Sequence, residues 1–159
     1  MINVLFVCLG NICRSPMAEA IFRDLIKKEG LESEINVDSA GVGHWHVGDL
    51  PHEGTRGVLE QYDISYEGMA ARQIHEKDWD EFDYLIAMDA KNVTDMAGIR
   101  KSDEVTVARL LDFIPDSEVK DVPDPFFTGN FEYVYELVST GCRELLYKIK
   151  QKHHLSKEE

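Results

Sequence analysis

The sequence lacks several features that would place it in a whole class of proteins. Three of its 159 residues are cysteine, an odd and small number that supplies no disulfide framework. No apolar run approaches the length of a transmembrane helix. The short apolar start has neither the basic flank nor the cleavage site of a signal peptide. We therefore expect a cytoplasmic protein, with export without a signal left open.

Positive charge is also scarce. The chain has 17 Lys and Arg against 30 Asp and Glu, which gives a formal net charge of -13 at pH 7. Nucleic acid and anionic membranes would be repelled, so we expect neither as a partner. An anionic substrate is still compatible with this charge, because a local group of donors outweighs a screened surface at short range.

The length of the chain fits one domain with its own core, and we predict a single domain over residues 1–159. Strands and helices alternate four times, which predicts an α/β fold with a doubly wound parallel sheet. The fourth strand is predicted within residues 105–114, centred on residues 108–113. Residues 51–63 have a helical pattern with Tyr62 on the core side. Residues 150–159 are polar, and we predict a frayed tail there.

The most informative stretch lies between a predicted first strand at residues 2–7 and a predicted first helix. Gly10 permits a tight or left-handed turn, and Asn11 tolerates the same conformation. Pro16 favours the first turn of a helix. We predict a loop that ends on a helix N-terminus, where backbone N–H groups and the helix dipole attract an oxyanion.

Three side chains in this loop suit phosphoryl transfer. The same field stabilises Cys8 as a thiolate, which is the nucleophilic form. Arg14 offers a planar pair of donors that matches phosphate oxygens. Ser15 is able to donate a hydrogen bond to the thiolate. Taken alone, Cys8 would be interpreted as a small core residue, but the combined spacing predicts a cysteine nucleophile.

A second informative stretch, residues 121–129, breaks all periodicity. Prolines on both sides of Asp124 hold the backbone extended, and a stiff loop of this kind is suited to placing an acid. Transfer of phosphate from an aryl ester needs a proton for the leaving oxygen, which a carboxylic acid supplies. Asp121 is the rival acid, with an ordinary turn residue as its alternative role.

Residues 8–19, with the sequence CLGNICRSPMAE, resemble the signature of the low-molecular-weight protein tyrosine phosphatases. The resemblance implies a flavodoxin-like sheet of four parallel strands in the order 2-1-3-4, with the Cys8 loop at the switch point. It implies hydrolysis of phosphotyrosine in proteins through a phosphocysteine intermediate. Cys8 is then the nucleophile, Arg14 holds the phosphate, and Asp124 acts as general acid and then as base.

The remaining site residues follow from the same reasoning. We predict that these residues contact phosphate or substrate: Leu9, Gly10, Asn11, Ile12, Cys13, Ser15, Trp45, Phe126 and Phe127. The two phenylalanines stand where the family usually has tyrosine. The resemblance gives Ser39 a hydrogen-bonding role behind the loop, and it places Asp89 near the loop, paired with Arg14 or Arg72; as an alternative, Asp89 caps a helix.

No metal or other cofactor is expected, because the loop already supplies positive charge. His44 and His46 lack a third ligand at suitable spacing. His46 is also a candidate for setting substrate choice at the rim. The expected partners are phosphotyrosine proteins, and we expect a monomer.

Three alternatives to this function share a similar loop. Arsenate reductases need two further cysteines downstream, and residues 14–141 contain none. Phosphocysteine carrier modules need neither Arg14 nor an acid. Protein arginine phosphatases carry Thr where this chain has Ile12, and an apolar wall suits a phenyl ring better than a guanidinium.

A further hypothesis is that Cys13 traps oxidised Cys8 as a reversible disulfide.

Overall fold

A computed structural model describes residues 1–155 of the chain. It contains a four-stranded parallel sheet made of β1 (Ile2–Cys8), β2 (Ile35–Gly41), β3 (Tyr84–Ala87) and β4 (Thr106–Arg109). The strand order is β2-β1-β3-β4, so the predicted α/β sheet with the order 2-1-3-4 is confirmed.

Helices lie between and after the strands. They are α1 (Arg14–Lys28), α2 (Glu53–Gln61), α3 (Asp78–Glu81), α4 (Ala90–Ala97), α5 (Pro125–Thr128) and α6 (Phe131–His153). None of the helices within residues 1–155 is long and apolar enough to cross a membrane.

The side chains of β1 divide between two apolar cores. Val4, Phe6 and Cys8 belong to the core that α1 and α6 cover, whereas Leu5 and Val7 belong to the core beneath α3 and α4. Alternate side chains of a strand point to opposite faces, so the position of Cys8 on the α1 face follows from the pleat. β1 therefore ends with a cysteine on the face where the next helix begins.

The predicted centre of β4 is wrong. β4 ends at Arg109, and residues Leu110–Phe113 form a 3₁₀ turn. Leu110 and Leu111 are both fully buried, and the turn that they form packs against α6. The Asp112 carboxylate accepts from the Arg109 N–H and caps the turn.

Two predictions about the helices are corrected as well. Residues 150–153 are not frayed, because α6 continues to His153 and Lys150 forms an ion pair with Glu29. Residues 156–159 of the predicted tail lie outside the described part of the chain. Tyr62 follows α2 with 40% of its surface exposed, stacked on Tyr135 rather than buried in the core.

Candidate active site

The loop between β1 and α1 is shaped by one left-handed residue. Asn11 has a φ of 57°, whereas Gly10 does not adopt a positive φ, so the tight turn lies at Asn11. At Gly10 the limit is space instead, because a Cβ atom there would lie 3.2 Å from Cδ2 of His46 and that ring would have to shift by a few tenths of an ångström. Cys13 occupies the position before α1, which begins at Arg14, and its side chain makes no capping hydrogen bond.

The carbonyls of this loop are turned towards its neighbours. Three of them accept hydrogen bonds from residues 43–55: Leu9 O from Gly43 N at 2.8 Å, Ile12 O from His52 N at 2.7 Å, and Cys13 O from Thr55 Oγ1 at 3.1 Å. In a trans peptide the N–H points opposite to the carbonyl, so the N–H groups of these units face the inside of the loop. The loop is therefore arranged to receive an anion.

Cys8 lies at the centre of these donors and is 3% exposed. The backbone N–H of Asn11 donates to its sulfur at 3.3 Å, and Ser15 Oγ lies 3.0 Å from the sulfur. Because Ser15 Oγ already accepts from Asn11 Nδ2 at 2.8 Å, its proton is available for a Cys8 thiolate. Both contacts stabilise the charged form of the sulfur.

A buried network extends behind the loop. Asn11 Nδ2 also donates to Ser39 Oγ at 2.9 Å, and Ser39 Oγ donates to Glu19 Oε1 at 2.6 Å. The network places Ser39 where a supporting role behind the loop requires it. Glu19, which our sequence interpretation did not single out, lies one helical turn after Ser15 on the same face of α1. Burial raises the pKa of Glu19, opposed by the hydrogen bonds from Ser39 and Arg23.

Arg14 is buried beneath the loop with its side chain 3% exposed. Its Nη1 donates to Asp89 Oδ2 at 2.6 Å and to Val122 O at 2.9 Å, and its Nη2 lies 3.5 Å from Asp124 Oδ2. Burial on its own would lower the pKa of Arg14, but the charges of Cys8, Asp89 and Asp124 raise it. The guanidinium therefore stays charged.

Asp89 has both of the roles that were considered for it. One carboxylate oxygen pairs with Arg14, and the other accepts from the Asn92 N–H at 2.8 Å, which caps α4. Arg72 does not pair with Asp89. It pairs with Asp38 and Asp78 instead.

A cavity of about 150 Å³ opens above the Cys8 sulfur. It is lined by Cys8, Leu9, Gly10, Ile12, Cys13, Trp45, Asp124, Phe126 and Phe127. The predicted contact residues Asn11 and Ser15 are not part of this lining, because their side chains take part in the network behind the loop. The cavity thus combines the thiols of Cys8 and Cys13, one carboxylate and apolar walls.

The rim of this cavity is open to solvent. Trp45 is 65% exposed and Phe127 is 75% exposed. Phe126 lies between His46 and His52, with ring centroids 6.2 and 6.0 Å away. Exposed aromatic groups around a small pocket suit a ligand that is carried on a larger molecule.

The rival acid, Asp121, lies outside the cavity lining. Its Oδ1 accepts from the Ala90 N–H and from Arg109 Nη1, both at 3.1 Å. Asp124, in contrast, lines the cavity together with Cys8, and its Oδ1 accepts from the Phe126 N–H at 3.1 Å. The geometry therefore favours Asp124 as the acid.

Cys13 shares the cavity with Cys8, which bears on the oxidation hypothesis. Burial, together with the charges of Asp124 and Cys8, raises the pKa of Cys13 to about 12. Cys13 therefore stays a thiol, and Cys8, whose hydrogen bonds favour a thiolate, is the sulfur that reacts with peroxide first.

Mild peroxide is expected to convert Cys8 to a sulfenic acid, which condenses with the Cys13 thiol to a disulfide and water. Activity should be lost and then recovered with a thiol reductant. Peptide mass spectrometry after trypsin would detect the Cys8–Cys13 link. Cys13→Ser should instead show irreversible loss and sulfinic acid at Cys8. If the oxidised wild type contains no such link, the hypothesis is wrong.

Among parallel α/β proteins, this arrangement of sulfur, buried guanidinium and carboxylate is typical of phosphatases that use cysteine as their nucleophile. Comparison with known proteins narrows this class. Residues 3–155 match the family model described as low molecular weight phosphotyrosine protein phosphatase. The chain belongs to this family.

Individual relatives agree with this assignment. The chain is 57% identical over 158 residues to the low molecular weight protein-tyrosine-phosphatase YfkJ of Bacillus subtilis, covering 98% of this chain and 100% of the relative. It is 48% identical to PtpA of Staphylococcus epidermidis over 92% of both chains.

Solved structures show the same similarity. The crystal structure of YfkJ superposes with a TM-score of 0.94 at 56% identity, covering 96% of each chain. The crystal structure of a Drosophila arginine phosphatase superposes with a TM-score of 0.84 at 33% identity, covering 99% of this chain and 100% of that one.

Proposed function

We propose that this chain hydrolyses phosphotyrosine in proteins. The observation that carries the proposal is a small cavity with apolar walls that both Cys8 and Asp124 line, with the buried Arg14 guanidinium 3.5 Å from the Asp124 carboxylate. The name of the Bacillus subtilis relative, a protein-tyrosine-phosphatase, supports the same activity.

In the first step, the Cys8 thiolate attacks phosphorus in line with the bond to the tyrosyl oxygen. The N–H groups of the loop and Arg14 hold the equatorial oxygens as charge develops on them. Asp124 protonates the tyrosyl oxygen as it leaves. The products of this step are tyrosine and a phosphocysteine at Cys8.

In the second step, water attacks the phosphocysteine with Asp124, now a carboxylate, as the base. The Cys8 thiolate is the leaving group, and the hydrogen bonds from Ser15 and the Asn11 N–H stabilise it. Phosphate is released and the protein returns to its starting state.

The wall of the cavity bears on the choice between phosphotyrosine and phosphoarginine. Ile12, Trp45 and Phe126 contribute apolar surface, and Asp124 is the carboxylate in the lining. A phenyl ring packs well against such walls, whereas a guanidinium is strongly polar and needs acceptors. We therefore favour phosphotyrosine, with phosphoarginine as the second candidate because a structural neighbour is an arginine phosphatase.

A direct comparison of substrates tests this proposal. Initial rates are measured with phosphotyrosine and phosphoarginine versions of one peptide, in the presence of a chelator. We expect a higher kcat/KM for phosphotyrosine, and Asp124→Ala should lower it roughly 10²-fold because the leaving oxygen then receives no proton from the enzyme. A higher kcat/KM for phosphoarginine would contradict the proposed substrate.

We also propose that the protein acts as a monomer in the cytoplasm. Every residue in the proposed mechanism comes from one chain, so catalysis does not require a second copy. Light scattering after size-exclusion chromatography at enzymatic concentrations tests the monomer.

A further inference from the structure

Residues 121–125, which we call the acid segment because they carry Asp124, are attached to the end of the sheet at Val122. The Val122 N–H donates to Met88 O at 2.9 Å, and Val122 O accepts from Arg14 Nη1 at 2.9 Å. These two bonds fix the backbone two residues before Asp124.

A second attachment lies one residue earlier, at Asp121. A single oxygen of its carboxylate accepts from the Ala90 N–H, in the first turn of α4, and from Arg109 Nη1 at the end of β4. Arg109 is held in turn by Asp112 at 3.3 Å. Asp121 therefore joins the acid segment to two elements of the fold that do not touch the reacting atoms.

The prolines on either side of Asp124 limit the freedom of the backbone that carries it. Pro123 has a fixed φ and lacks an N–H, and Pro125 restricts the conformation of Asp124. Loss of the Asp121 attachment leaves the two Val122 bonds as the remaining anchor, and the stiff backbone that follows carries any displacement of Val122 on to Asp124. General acid catalysis is sensitive to such a displacement, because the proton is transferred only within hydrogen-bond reach.

We infer that Asp121, held by Arg109 and the first turn of α4, is a positioning residue for proton transfer by Asp124. The inference rests on the acid role proposed above for Asp124. The side chains of Arg109 and Asp121 are 28% and 50% exposed, so their ion pair adds little to folding. Its main effect is the placement of the acid.

Aryl phosphates with different leaving groups separate this role from a general structural one. Phenol is a poor leaving group and needs the proton, whereas 2,4-dinitrophenol leaves as an anion without help. We expect Asp121→Ala to lower kcat/KM for phenyl phosphate roughly tenfold, and to leave kcat/KM for 2,4-dinitrophenyl phosphate within roughly twofold of wild type. Arg109→Met should show the same selectivity.

Two further variants complete the design. Asp121→Asn keeps an acceptor for the Ala90 N–H and loses the charge opposite Arg109, so its effect should be smaller than that of Asp121→Ala. Asp80→Ala is the matched control, because it breaks an exposed Arg–Asp pair with Arg100 away from the acid segment. It should leave both rates unchanged.

The outcomes distinguish this inference from the proposal beneath it. Asp124→Asn should show the selective loss, and adding Asp121→Ala to it should cause no further loss. Suppose that Asp124→Asn lowers kcat/KM for phenyl phosphate but not for 2,4-dinitrophenyl phosphate. If Asp121→Ala then lowers both kcat/KM values equally, or lowers neither, the inference alone is overturned. If Asp124→Asn is not selective, the acid role and the inference both fail.

Discussion

Replacing Cys8 by serine is expected to lower kcat/KM for phosphotyrosine by roughly 10⁴-fold or more, because the nucleophile is lost. The loop stabilises a thiolate through Ser15 and the Asn11 N–H. A serine hydroxyl at the same place stays protonated, and no described carboxylate or histidine lies within hydrogen-bond distance of the Cys8 sulfur to act as its base. Initial rates at high enzyme concentration measure the loss.

The control for this variant is a cysteine outside the site. Cys142 is fully buried on α6, so Cys142→Ala should retain kcat/KM within roughly twofold while losing some stability. Cys8→Ser should also still bind the phosphotyrosine peptide, since the loop amides and Arg14 remain. A Cys8→Ser variant with more than about one hundredth of the wild-type rate would contradict a cysteine nucleophile.

Removal of the Arg14 guanidinium is expected to have the second-largest effect. Arg14→Ala should lower kcat/KM by roughly 10³-fold, because the charge on the transferring phosphoryl group loses its main cation. The variant should also be less stable by about 2–3 kcal/mol, since Asp89 is left without its partner. This loss of stability is smaller than the loss expected when one partner of a fully buried ion pair is removed, because the Asp89 side chain is 21% exposed.

Arg14→Lys separates charge from geometry. Lysine keeps the positive charge but lacks the planar pair of donors, so we expect an intermediate kcat/KM and a smaller loss of stability. Urea unfolding of the variants, followed alongside initial rates, measures both quantities. Equal rates for Arg14→Lys and wild type would show that the fork-like contact with phosphate does not matter.

The extent to which sequence predicts this fold depends on how local the signals are. The β1-loop-α1 unit is encoded within 28 consecutive residues by an apolar run, a compact motif and a helical repeat, and both the family and the strand order are confirmed. The end of β4 was not predictable in the same way. Leu110 and Leu111 continue an apolar run, and nothing local in the sequence indicates that they leave the strand and pack as a turn against α6.

The end of α6 shows the same limit. Residues 150–153 are polar, which indicates fraying, but Glu29 and Tyr84 provide partners for Lys150 and His153 from distant parts of the chain. Polar composition alone does not reveal partners that are distant in sequence.

The candidate site divides in a similar way. Residue types and spacing were enough to select Cys8 and Arg14, whereas the choice of Asp124 over Asp121 needed the family resemblance, and the roles of all three stay predictions. Residue types and spacing did not separate the residues that line the cavity from Asn11 and Ser15, which support it from behind. Glu19 accepts a hydrogen bond from Ser39, and Asp121 accepts one from the Ala90 N–H. These partners are distant in sequence, so no local pattern identifies the contacts.

In the proposed mechanism, the phosphoryl group passes through the Cys8 sulfur. Asp124→Ala is mixed with 2,4-dinitrophenyl phosphate, whose leaving group needs no proton, and the reaction is quenched within the first turnovers. Without a base for the second step the intermediate should accumulate, so peptide mass spectrometry should find phosphate on the Cys8 peptide. Phosphate on another residue, or turnover with no phosphocysteine at any time, would contradict the mechanism.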